Sequence, residues 1–96
     1  LLLIDCGVDY ANYASDMTRT IPVNGKFTTR QKEVYNAVLR VMKEARTLLK
    51  PGTFLMEYHK QVGEIMEKEL VNLGLLSMDD IKNQDPAWPA YKKYFM

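Results

Sequence analysis

The chain changes its hydrophobic rhythm once. From Leu1 to Thr20 the apolar residues fall in a short run, Leu1 to Cys6, and then in a looser alternation from Tyr13. Both patterns suit strands, whose side chains alternate between two faces. Further on they recur at helical spacing, and Val34, Val38, Val41, Met42, Ala45, Leu48 and Leu49 make one apolar face. Leu55, Tyr58, Val62, Ile65, Met66, Leu70 and Leu73 make a second. Turn and cap residues punctuate these segments. Asp9-Tyr10-Ala11-Asn12 reads as a hairpin turn, because Asn tolerates left-handed backbone, and Asn24-Gly25 as the tip of another. Thr28 and Gln31 have the spacing of a capping box at the start of the first helix, which Pro51-Gly52 ends. Thr53 is expected to cap the second helix, Gly74 to follow its last turn, and Ser77 to cap a short third one. The predicted fold is α+β, an antiparallel hairpin packed on two long helices, with Ile4, Cys6 and Val8 beneath them. An aromatic, lysine-bearing tail follows Asp85-Pro86, and no internal repeat or low-complexity tract intervenes.

The hairpin carries the candidate chemistry. "DCGVDYANYASD" begins at Asp5 and ends at Asp16, with Asp9 the one other charge between them. A turn centred between Tyr10 and Ala11 sets Asp9 opposite Asn12, Gly7 opposite Ala14, and Asp5 opposite Asp16. Opposed residues of an antiparallel pair share a face, with Cβ atoms roughly 4.5–5.5 Å apart. Like charges so placed repel unless something positive lies between them. A divalent cation is the natural candidate, since hard carboxylate oxygens suit manganese, magnesium or zinc. Gly7 and Ala14 leave room above such a site. The plainer reading is a pair of solvated turn acids, and a one-residue slip in register would put them on opposite faces.

Composition narrows the field. Ninety-six residues suit one small domain or part of a larger one. With 47% apolar residues, 26% charged residues and a net charge of +1, nothing drives the chain generally toward nucleic acid or an anionic membrane, and neither is expected as a partner. The longest apolar run, Leu1 to Ile4, is far short of a membrane span, and no signal-peptide pattern is present. The single cysteine, Cys6, makes no internal disulfide, which fits a reducing compartment. A cytoplasmic location is the expectation.

The wider string "LLIDCGVDYANYASDMTRTIPVNGKFTTRQKEVYNAVL" resembles the start of the catalytic domain of proline-specific metallopeptidases, Xaa-Pro aminopeptidase and prolidase, in the pita-bread family. The similarity rests on Asp5, Gly7, the tyrosine-rich turn, Asp16, Thr18-Arg19-Thr20, Pro22, Asn24-Gly25 and Gln31. It continues more weakly through "LLKPGT" and "LVNLGLL". The resemblance implies that Asp5 binds one metal of a dinuclear centre and that Asp16 bridges both. The metals it implies are two divalent ions, manganese foremost, with zinc or cobalt as alternatives. The remaining ligands would be one histidine and two glutamates further along. The usual histidine context is aromatic-Met-His-Gly, and the chain stops at Phe95-Met96, so residues 1–96 are expected to be a partial catalytic domain, truncated at both ends.

Other residues have plainer roles. Thr18 shares Asp16's face and is placed to hydrogen-bond a ligand carboxylate, with strand propensity as the equal alternative. Cys6 reads as a buried small hydrophobe. Met42, Met56 and Met66 read as core filling, Lys92-Lys93 as a solvated face, and His59 as a bystander. Arg19 pairs with an acid elsewhere or is solvated.

Two classes of function remain. The first is an exopeptidase that releases an N-terminal residue preceding proline, or splits a dipeptide ending in proline. The second is a non-catalytic pita-bread relative that binds protein. Retention of both aspartates favours the first, and "TRTIP" favours its proline-specific branch. The partners expected are a peptide with proline second and, given the open strand edge, another copy in a homo-oligomer.

Overall fold

In the computed structural model, which describes residues 1–94, the hairpin turns one residue later than the pattern suggests. Strand β1 (Leu2–Cys6) pairs antiparallel with β4 (Met17–Ile21), and β2 (Asp9–Tyr10) with β3 (Tyr13–Ala14). Tyr10 lies opposite Tyr13, leaving Ala11-Asn12 as the loop at φ of 52° and 68°. A two-residue turn of this type needs positive φ at both central positions. Centring it a residue earlier would put the bulky Tyr10 in that region. The observed turn uses a small residue and a tolerant one, and keeps two tyrosines as a cross-strand pair. Asp9 Oδ1 accepts from the Asn12 N–H at 3.3 Å and braces the corner. As a result Asp5 faces Thr18, and the expected opposition of Asp5 and Asp16 does not occur.

The chain divides into two compact units, Leu1–Lys32 and the residues from Glu33 on. The first unit is held by backbone pairing, with little burial. Every residue of β1 is exposed. Ile4, Cys6 and Val8, expected to be covered, are exposed as well, so Cys6 is not a core residue. Each sheet has two strands, which leaves their outer edges unpaired.

The helices start and stop largely where local chemistry dictates. Helix α1 (Thr29–Leu48) opens on the expected capping box: the Gln31 N–H donates to Thr28 Oγ1 at 3.3 Å, and the Thr28 N–H to Gln31 Oε1 at 3.0 Å. Its buried stripe is narrower than the expected face and consists of Ala37, Val41 and Ala45. Val38, Met42 and Leu49 are exposed. Helix α2 (Leu55–Asn72) has Phe54, not Thr53, at its N-cap. The Thr53 hydroxyl instead donates to the Leu48 carbonyl at 3.3 Å and caps the end of α1. Gly74 follows α2 at φ 75°, and the Leu75 and Gly74 N–H groups return to the Leu70 and Val71 carbonyls. That is the Schellman closure.

Leu70, Leu76 and Tyr91 form the buried cluster of the second unit, with Met66, Val71 and Ala90 against it. Of the three methionines expected in the core, Met66 is there and Met42 and Met56 are exposed. Tyr91 belongs to a short 3-10 helix, Ala90–Tyr94, and packs so closely on α2 that a Cβ at Gly63 would lie 2.5–2.7 Å from its ring and hydroxyl. Arg40 and Glu69 join α1 to α2 through two bonds of 3.0 and 2.8 Å. This arrangement holds the Glu69 carboxyl below its ordinary range, chiefly through the hydrogen bond from Arg40. Helix α3 (Met78–Lys82) has the expected cap at Ser77, whose N–H and hydroxyl both donate to Asp80 and lower its pKa. Lys92, expected to be solvated, is half-buried with its Nζ 5.2 Å from the Trp88 ring centroid. Among the described residues no helix is long and apolar enough to cross a membrane. Phe95 and Met96, which carry the expectation of a histidine segment beyond, lie outside the described residues.

Candidate metal centre

The register brings Asp5 and Thr18 face to face, and Thr18 Oγ1 donates to Asp5 Oδ1 at 3.0 Å. A hydroxyl opposite a carboxylate can donate to it and fix its rotation. A second carboxylate there would have repelled it, so the later turn removes the conflict that the earlier one implied. Asp16 lies two residues before Thr18 and just ahead of β4, a diagonal position relative to Asp5. Diagonal neighbours in a regular antiparallel pair are roughly 7–8 Å apart. Direct repulsion is thereby weaker than between opposed carboxylates. Asp16 has no hydrogen-bond partner among the described residues.

The ladder is interrupted beside Asp16. The Ser15 N–H donates to the Val8 carbonyl at 2.8 Å, as an antiparallel pair requires. The return bond is different, because the Val8 N–H donates to Ser15 Oγ at 3.0 Å. The same hydroxyl donates to the Val8 carbonyl at 3.2 Å. The Ser15 carbonyl is turned against Gly7, where a Cβ would collide with it. Only glycine fits this crossing. Sequence pattern does not single out Ser15, since a serine near a turn is ordinary; the glycine was the one visible sign.

The donor set fits part of a divalent-metal site. Two hard carboxylates belong to one hairpin, one held by a hydroxyl and one open, and both are exposed. Among the described residues no group of three or more His, Cys, Asp or Glu is assembled that could hold an ion. A six-oxygen shell needs further ligands. His59, in α2, joins no such group. Arg19 turns back on its own strand, donating to the Thr18 carbonyl at 2.7 Å.

Three comparisons bear on what this arrangement serves. A model of metallopeptidase family M24 matches residues 1–96. The Xaa-Pro aminopeptidase of Escherichia coli strain K12 is 44% identical over 96 residues, spanning 100% of this chain and 21% of the relative. The Xaa-Pro aminopeptidase of Haemophilus influenzae is 42% identical over 98 residues, with 100% and 22% covered. The chain thus spans about a fifth of the length of these relatives. Among solved structures, a histidine-to-alanine variant of Escherichia coli aminopeptidase P superposes with a TM-score of 0.69 at 48% identity, over 78% of this chain and 17% of that one.

Proposed function

This chain belongs to metallopeptidase family M24, and from that premise we propose that it is part of the catalytic domain of an Xaa-Pro aminopeptidase, to which it contributes the first two metal ligands, Asp5 and Asp16. The observation that carries the reading is the 44% identity with an Xaa-Pro aminopeptidase along the entire chain. The exposed acids, offset along one hairpin and not opposed, agree with it. The substrate is a peptide with proline at the second position, and the bond broken is the one before that proline. Dipeptides ending in proline are the runner-up substrate. The protein-binding alternative has less support, because both acidic positions are retained.

Two divalent ions, manganese foremost, would activate a water and polarise the scissile carbonyl when bound. The chain's own part is to present two carboxylates from one backbone-paired hairpin. Thr18 holds Asp5 by Oδ1, which leaves Oδ2 to turn toward an ion. Asp16, with no partner among the described residues, is the natural bridging carboxylate. One histidine and two glutamates from other parts of the parent protein would complete the shell. The exposed β1 residues and open strand edges also support a homo-oligomer, or cover from the rest of the parent.

The test is hydrolysis of Ala-Pro-Ala against Ala-Ala-Ala by the full-length protein with manganese and then with chelator. The expected result is cleavage of the first peptide alone, abolished by chelation. Equal cleavage of both, or cleavage indifferent to chelator, contradicts the reading. The isolated chain of residues 1–96, with two carboxylates of the set, should cleave neither.

A further inference from the structure

Ser15 occupies the break in the hairpin ladder, one residue before Asp16. In a continuous antiparallel pair the Val8 N–H would go to the Ser15 carbonyl, and both strands would stay in phase. Here it goes to the Ser15 hydroxyl at 3.0 Å, while the Ser15 N–H keeps its bond to the Val8 carbonyl at 2.8 Å. One rung is therefore rebuilt from a side chain. That substitution releases the Ser15 carbonyl to rotate against Gly7, in the space a Cβ would occupy. Rotating the carbonyl rotates the peptide that joins Ser15 to Asp16, and with it the direction in which Asp16 leaves the backbone. The strand pairs on either side, Cys6 with Met17 and Asp9 with Ala14, keep one common register, so the break turns a peptide without shifting the strands.

We infer that Ser15 is a positioning residue for Asp16: its hydroxyl satisfies Val8 in place of its own carbonyl, and the turned peptide that results sets the carboxylate's aim. The inference rests on the reading of Asp16 as a metal ligand. Gly7 makes the device possible, and Ser15 holds it. Alanine at 15 leaves two outcomes for the Val8 N–H: no partner, or recovery of the Ser15 carbonyl as the ladder closes. In the second case the peptide rotates back and Asp16 turns with it. Threonine keeps a hydroxyl at the same place and suits a strand.

The experiment measures manganese affinity of the full-length protein by electron paramagnetic resonance of the free ion, for native, Ser15→Ala, Ser15→Thr and Asp16→Asn. Hydrogen exchange at the Val8 amide is followed on the same samples. Ser15→Ala should bind manganese about 10- to 100-fold more weakly, the range usual for loss of a group that orients a ligand. Ser15→Thr should restore affinity and the native exchange rate at Val8. Should Ser15→Ala not fold, Ser15→Cys takes its place, since a thiol accepts only weakly. Native affinity in the alanine or cysteine variant, with affinity lost in Asp16→Asn, overturns the role of Ser15 and leaves the metal reading intact. Native affinity in Asp16→Asn overturns both.

Discussion

The hairpin and the helices of this chain are stabilised by different physics. In the hairpin the strand β1 buries none of its side chains, and order comes from backbone rungs, a left-handed two-residue turn and a few side-chain bonds. In the helical part, order comes from apolar contact around Leu70, Leu76 and Tyr91, from capping boxes and from the Arg40–Glu69 pair. The acids proposed for chemistry lie in the region that buries least. A carboxylate that must meet ions and substrate has to stay accessible, and backbone pairing fixes its position without covering it. A core of packed side chains could not do the same.

This contrast can be broken from either side. Catalysis should suffer most: Asp16→Asn in the full-length protein should reduce Xaa-Pro hydrolysis to background, while His59→Ala leaves it near native. Activity retained in the first variant would move the chemistry out of the hairpin. Next come core substitutions. Leu70 is only 4% exposed, and Leu70→Ala should cost about 2–5 kcal/mol in denaturant unfolding, with manganese affinity unchanged. Gly63→Ala forces the Tyr91 ring aside and should cost about 1–3 kcal/mol. Loss of metal binding in either variant would show that the two regions are not separable.

The smallest effect is electrostatic. The Glu69 carboxyl is held below its ordinary value by Arg40, so it binds its proton more readily in the unfolded chain than in the folded one. The stabilisation is therefore complete above the ordinary carboxylate range and disappears as pH falls through the lowered value. Thermal melts of native and Glu69→Gln should differ at neutral pH and converge as pH falls below the ordinary carboxylate range. A difference independent of pH would assign the effect to packing instead.

Local chemistry was legible in the sequence wherever one residue type answers one backbone need. Thr28 with Gln31, Ser77 with Asp80, and Gly74 after α2 all act as their spacing indicates. Thr53 did not, because the hydroxyl had a second acceptor within reach, the Leu48 carbonyl at the end of the preceding helix. The α+β order was legible from the change in periodicity. The hairpin register was not, since it turned on whether Tyr10 or Asn12 joins Ala11 at a positive φ, a choice that goes with cross-strand pairing of two tyrosines. That one-residue difference replaced Asp16 by Thr18 opposite Asp5. The role of Ser15 was also out of reach, because it depends on which of its two oxygens meets the Val8 N–H. Exposure of Val38, Met42 and Cys6 could not be read from apolar spacing, which identifies a face without naming what covers it.

Metal binding by the hairpin acids is read out by thermal melts of the full-length protein and its Asp5→Asn variant, each with chelator and with manganese. Asparagine still accepts the Thr18 hydroxyl, so the metal-free melting temperatures should be nearly equal. Manganese at 100 times its dissociation constant should stabilise the native protein by about 2.7 kcal/mol, and most of that gain should be missing in the variant. Equal manganese shifts in the two proteins would contradict the assignment of Asp5 as a ligand.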